Sequence, residues 1–391
     1  MLYRAWQAVA ENQPFKNRVK PKPHFPEFGS HLREVIGRAR IGQLLEDEPF
    51  GSLAVQLFEL QFNANAAYRA ICQARGLTPE TVPNWQHIPA VPTSAFKEFD
   101  VTCLDVSQRF TQFHSSGTTQ QTPSRHFHNK ESLTLYEDSL LQGFTLALEQ
   151  LNWNPRACRF ILLIPPPVEA PHSSLVHMFA TIAQKFGGRA EFFGRLASYG
   201  GWTLDLPGVS DAMRLRTQEG LPLFIMGTAF SFVHLLDGLE GQGSFNLPEG
   251  SLLLETGGYK GRSRVMPRDE LHLNLSERFG ISRTQIICEY GMSELSSQAY
   301  ALVPGPSSID GSRSRVFRFP GWARARIISP ETGREVEDGE KGMVRIFDLA
   351  NVYSVMAVQT GDLGVRRGYG FELIGRAPMA EPRGCSLMNV G

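Results

Sequence analysis

Thr284-Gln285-Ile286-Ile287-Cys288-Glu289-Tyr290-Gly291-Met292-Ser293-Glu294 reads as a buried strand running straight into a polar turn. Open α/β sheets collect their ligands at the carboxyl ends of strands, so a site is expected where this one ends. Tyr290 offers a face on which a flat base can stack, and Glu294 an oxygen that suits a hard cation. Glu289, Gly291, Met292 and Ser293 would line the same turn. Taken alone, a plain strand end with a solvent-facing glutamate reads the same way.

Outward from this stretch, strands and helices alternate. Strands are expected at 159–164, 190–193, 221–226, 251–255 and 284–288, and helices at 131–149, 173–186, 210–219, 230–239 and 268–279. Apolar strands separated by helices of this length imply a mostly parallel sheet flanked by helices on both faces. From about residue 322 the pattern changes to short strands at 323–328, 342–347, 363–366 and 371–374, expected to form a small antiparallel sheet or barrel. Residues 1 to about 30, rich in Pro, Lys and Phe, are expected to wrap the surface, and 53–75 to form a helix. The chain is too long for one core. The expected division is a large α/β domain with an N-terminal wrap over 1–320 and a small β-rich subdomain with a tail over 321–391.

Three more strings bear on chemistry. Ser115-Ser116-Gly117-Thr118-Thr119 is a hydroxyl-rich turn around a glycine, where backbone N–H groups and side-chain hydroxyls can hold phosphate oxygens. An ordinary polar loop has the same composition. Gly257, Gly258 and Tyr259 follow a strand, where the glycines let backbone approach a base or simply make a tight turn. Asp362, after Thr360-Gly361, can accept two vicinal ribose hydroxyls, and the Arg376 fork can reach hydroxyl or phosphate oxygens. A charged surface hairpin would also account for Asp362. In this order, however, the strings supply a phosphate cradle, a base platform, a metal ligand and a ribose clamp. Those are the needs of a carboxylate-activating site that uses ATP and Mg2+. Near the end, Cys385 follows Arg383-Gly384 and suits a thiol nucleophile of lowered pKa, or else a cysteine packed against the small subdomain.

Lys+Arg and Asp+Glu both number 39, so no global field draws the chain to nucleic acid or anionic lipid. Five scattered cysteines without a CxxC pair favour reduced thiols. The start lacks a leader-like apolar run, and no stretch nears the ~20 apolar residues of a membrane span. A cytoplasmic location is expected. His126 and His128 flank Phe127, and strand alternation would put both imidazoles on one face. The absence of a Gly-x-Ser-x-Gly elbow argues against a Ser-His-Asp hydrolase.

On these strings the chain resembles the adenylate-forming superfamily, and more closely the LuxE-type acyl-protein synthetases. The resemblance runs from Ile88-Pro89-Ala90-Val91-Pro92-Thr93-Ser94-Ala95-Phe96-Lys97 through 115–119, 256–261, 289–294 and 360–362 to Gly375-Arg376. It ends on Arg383-Gly384-Cys385-Ser386-Leu387. It implies a large adenylate-forming α/β domain without the mobile C-terminal lid of most relatives. It further implies ATP, Mg2+ and a fatty acid as reactants, an acyl adenylate, and transfer to a protein cysteine as a thioester. Thr118, Glu294 and Cys385 would be catalytic, Cys385 as acyl carrier, with a partner such as a reductase accepting the acyl group. One departure follows the phosphate turn. Gln120-Gln121-Thr122-Pro123-Ser124-Arg125 stands where the superfamily has a glycine and a later lysine, and Arg125 is a candidate for that charge. A ligase that hands an acyl or aryl group to coenzyme A or a carrier protein remains an alternative. So does a non-catalytic nucleotide- or acyl-binding protein with a decayed site.

Overall fold

The structure, a computed structural model, describes residues 24–40, 45–115, 122–151, 153, 158–186, 190–196, 201–257, 266–302 and 315–377. The described chain opens with three helices, α1 (Phe25–Arg38), α2 (Asp47–Ala64) and α3 (Ala66–Ala74). A two-residue strand β1 (Val91–Pro92) and a short helix α4 (Ala95–Glu98) follow, then a hairpin of β2 (Thr111–His114) and β3 (Arg125–His128). After α5 (Lys130–Glu149) comes an alternating stretch. It contains β4 (Arg159–Leu162), α6 (Ser174–Phe186), β5 (Ala190–Phe192), the small hairpin of β6 (Gly194–Leu196) and β7 (Trp202–Leu204), α7 (Leu206–Gln218) and β8 (Leu223–Thr228). It continues with α8 (Ala229–Gly238), β9 (Leu252–Thr256), α9 (Arg268–Phe279), β10 (Ile286–Tyr290) and β11 (Ala299–Ala301). The last part is all strand: β12 (Val316–Phe317), β13 (Ala323–Ile328), β14 (Lys341–Asp348), β15 (Ala357–Arg367) and β16 (Gly370–Arg376).

These strands make two six-stranded sheets. The first has the order β11-β10-β9-β8-β4-β5, parallel except for β11 at its edge. Its central strands β8, β9 and β10 are mostly apolar and buried at nearly every position because alternate residues face opposite helical layers. Phe160, Leu162, Phe224, Met226, Leu252 and Leu254 join α5 and α6 in one cluster. Ile161, Leu163, Leu223, Ile225, Leu253 and Ile286 join α7, α8 and α9 in the other. The second sheet runs β12-β16-β15-β14-β13, antiparallel, with β1 added in parallel to β15. Its core also takes Phe28, Leu32, Phe50, Leu57, Phe58 and Tyr68 from the first three helices, so members of this cluster lie on both sides of residue 320.

Two N-terminal expectations change. From Phe25 the expected surface wrap is a helix whose residues Phe28, Leu32 and Ile36 are buried. Its proline lies in the first turn, where no backbone hydrogen bond is lost. The helix expected over 53–75 is two helices, because Asn65 caps a new start by accepting from Tyr68 N at 3.0 Å. No helix among the described residues is long and apolar enough to cross a membrane.

Candidate active site

The two sheets meet at the carboxyl end of β10. The Tyr290 hydroxyl donates to Asp362 Oδ2 at 2.8 Å, joining the last residue of β10 to β15. The Tyr290 ring is only 7% exposed and stands edge-on to Phe371, with centroids 5.2 Å apart, and near Phe317 and Phe319. Burial and the neighbouring Asp362 push its hydroxyl pKa up, which keeps it a donor.

Asp362 lies inside β15, not in a hairpin turn, opposite Arg376 of β16 and beside a register shift at Leu363/Gly364. Arg376 Nε is 3.7 Å from Asp362 Oδ1, yet the Arg376 side chain is 91% exposed. Burial raises the Asp362 carboxyl, against the Tyr290 hydrogen bond and the Arg376 charge.

Glu294 is buried in the turn after β10. Burial pushes its carboxyl up, opposed by the Ser124 hydroxyl and the charges of Arg376 and Lys97. Ser124 begins the return into β3. Its N–H bonds the Ser115 hydroxyl at 2.9 Å, and Ser115 N bonds its carbonyl at 3.2 Å. The neck of the phosphate-turn candidate therefore sits beside Glu294. Ser116, Gly117, Thr118 and Thr119 lie outside the described residues, as do Gly258, Tyr259 and Cys385. Gly257 is described and leaves β9 with φ +72°, a conformation that favours glycine. Arg125, the candidate for a phosphate-turn charge, is turned to Asp100 at 2.9 Å, where Arg109 takes the other oxygen at 2.7 Å.

A polar network missed by sequence reading holds the Glu294 turn in place. Asp348, fully buried at the end of β14, accepts from Ser296 N at 2.8 Å, Ser297 Oγ at 2.7 Å and Ala350 N at 3.0 Å. Asn351 Nδ2 donates to Glu294 O at 3.0 Å and to Val355 O at 2.7 Å. His126 Nδ1 meets Ser293 O at 2.7 Å; burial pulls its pKa down to about 4, so the ring is neutral and this nitrogen is the donor. The imidazoles of His126 and His128 lie 4.3 Å apart on β3. The available signal was two polar residues, Asp348 and Asn351, inside the apolar run from Ile346 to Val352.

Glu289 points to the first sheet, where the Thr256 hydroxyl donates to it. A side chain at Gly291 would run into this carboxylate, while Met292 is partly buried against the second core. Burial raises the Glu289 pKa to about 7, against the Thr256 bond and helped by Glu255. The folded protein thus keeps a proton that the unfolded chain releases between its ordinary pKa and pH 7, so stability falls as pH rises through that window. Glu289→Gln is expected to gain on the order of 2–3 kcal/mol over wild type at pH 8 and little at pH 4.5. Thermal melts at both pH values check this; an equal gap at the two would sink it.

Beneath this turn, Glu255, His272 and Cys288 place potential ligand atoms within 4.8 Å of one another, all buried. One oxygen, Glu255 Oε2, takes the Cys288 thiol at 3.2 Å, His272 Nε2 at 3.4 Å and Arg268 Nε at 3.9 Å. Burial pulls the Glu255 carboxyl up, but the His272 bond and the Arg268 charge outweigh it and leave it below its ordinary range. With the Arg315 charge also close, the cluster is a compensated carboxylate in the core.

The family model described as "Acyl-protein synthetase, LuxE" matches residues 50–390. A long-chain-fatty-acid–luciferin-component ligase of Vibrio harveyi is 22% identical over 348 residues, covering 84% of each chain. Among solved structures, an open conformation of 2-hydroxyisobutyryl-CoA ligase in complex with 2-HIB-AMP and CoA superposes with a TM-score of 0.63 at 14% identity, covering 93% of this chain and 75% of its own. The same ligase in its thioesterification state gives 0.63 over 93% and 73%. The architecture is that of the adenylate-forming ligases, and with most of its length matched the chain belongs to the LuxE acyl-protein synthetase family.

Proposed function

We propose that this chain activates a fatty acid with ATP and passes the acyl group, by way of an acyl adenylate, to a protein cysteine as a thioester. The observation that carries the reading is the Tyr290–Asp362 hydrogen bond, which joins the strand end carrying Glu294 to the strand carrying the ribose-clamp candidate. Family membership supports the acyl-protein chemistry, and the luciferin-component ligase supports a long-chain acid.

In the first step a carboxylate oxygen of the acid attacks the α-phosphorus of ATP and pyrophosphate leaves. Such a step needs alignment and charge neutralisation more than covalent help. Asp362 would accept the ribose hydroxyls, with Arg376 at its side. Gly257, Gly258, Tyr259 and Tyr290 would border the base, and Ser115, Ser116, Gly117, Thr118 and Thr119 the phosphates. Magnesium takes one or two protein carboxylates and completes its shell with phosphate oxygens and water. Glu294 fits that use: it is an oxygen donor that burial alone would protonate, beside Ser124 at the neck of the phosphate turn. The ion, when bound, supplies neutralisation of phosphate charge. In the second step the Cys385 thiolate attacks the adenylate carbonyl carbon, AMP leaves and a thioester forms, ready for an acceptor such as a reductase.

Incubation with ATP and a radiolabelled fatty acid is expected to leave hydroxylamine-labile label on the wild-type protein and none on Cys385→Ser. Label appearing on added coenzyme A alone would overturn the protein-acylation step. Absence of ATP–pyrophosphate exchange with every acid tried would overturn the reading as a whole.

A further inference from the structure

An anionic substrate beside the Glu294 carboxylate needs a fixed positive charge. Among the described residues, the cations whose charge reaches Glu294 are Arg376 and Lys97. Arg376 is almost wholly in solvent. Lys97 is mounted differently. It lies on α4, whose backbone is fixed from two directions. On one side β1 pairs in parallel with β15, and Thr93 N–H bonds Gln359 O at 3.1 Å, three positions before Asp362. On the other, Phe96 is fully buried with its ring edge-on to His126 at 6.5 Å. That imidazole in turn holds the carbonyl of Ser293, the residue before Glu294. One short helix is thus tied to both carboxylate-bearing segments, and the Lys97 side chain remains partly open to solvent.

We propose that Lys97 is the phosphate-binding cation of this site, its ammonium taking a non-bridging oxygen of the nucleotide's phosphate chain next to Glu294. The proposal rests on the ATP reading above. An ammonium suits the task because it is a compact charge with three donors on a flexible stem, and its bonds to phosphate oxygen are charge-assisted. A rigid α4 would set the reach of that stem.

The test is calorimetric binding of MgATP and of adenosine to the full chain, as wild type, Lys97→Ala, Lys97→Arg and Glu98→Ala, with thermal melts to check folding. Lys97→Ala is expected to bind MgATP about 10- to 100-fold more weakly while its adenosine affinity changes less than about twofold. Lys97→Arg should recover most of the loss, and Glu98→Ala, an exposed neighbour on the same helix, should match wild type. Equal weakening of MgATP and adenosine would overturn the proposal by making Lys97 a support of the fold. Unchanged MgATP affinity with a raised KM for the fatty acid would overturn it in favour of a carboxylate contact. Wild type that binds no MgATP would instead remove the ATP reading on which the proposal stands.

Discussion

Glu294→Gln is expected to lower the rate of fatty-acid-dependent ATP–pyrophosphate exchange by about 10^2- to 10^3-fold, while the melting temperature changes little. Glutamine keeps the shape and one acceptor, so the turn still packs; what is lost is the negative charge that would hold magnesium against the phosphates. The carboxyl is buried beside Ser124, and its backbone carbonyl is separately anchored by Asn351 at 3.0 Å. Position and charge are therefore separable at this residue. A second readout follows from that. The magnesium concentration for half-maximal exchange should rise in the variant, whereas wild-type-like magnesium dependence with unchanged exchange would remove Glu294 from the site.

Asp348→Ala should be the most destabilising single change near the site. It strips the acceptor from the N–H groups of Ser296 and Ala350 and from the Ser297 hydroxyl, in a place that water does not reach. Each buried donor left without a partner costs about 1–3 kcal/mol, so the three sum to roughly 3–9 kcal/mol and a fall in melting temperature of about 4–11 °C. Burial lifts the Asp348 pKa to about 6, against the bonds from Ser297 and the backbone, so the charged form is itself strained at neutral pH. Asp348→Asn preserves an acceptor and is expected to lose about half as much. A melt of Asp348→Ala within a degree or two of wild type would show that the network contributes no stability.

The first sheet was legible because its strands carry a signal that tertiary context does not alter. Continuous apolar runs such as Phe160 to Ile164, spaced by helices of a dozen residues or more, leave few arrangements besides a covered parallel sheet. The strand end at Tyr290 was legible for the same reason. Asp362 was harder. Gln359-Thr360-Gly361-Asp362 has the composition of a turn, but cross-strand bonds to β14 and β16 hold it in a long strand, and local propensity gives way to pairing. The Asp348 network was hidden because its members come from α5, the Glu294 turn, β14 and the residue just before β13, and only the fold makes neighbours of Ser139, Ser297 and Trp322. Arg125 shows the reverse error: a charge at a suitable sequence position whose partner, Asp100, is set by the geometry of the β2–β3 hairpin.

The insertion of β1 beside β15 has a consequence for how the protein is made. Gln61 in α2 bonds the backbone of Asn351 across 290 residues of sequence, and Val91 pairs with Val358. At translation speeds of about 5–20 residues per second, the first helices would wait roughly 15–60 s for the strands that cover them. Throughout that interval Phe50, Leu57 and Phe58 face solvent or the ribosome surface bare. A chain truncated before those strands is expected to leave that apolar face uncovered and to aggregate rather than fold to a smaller working unit.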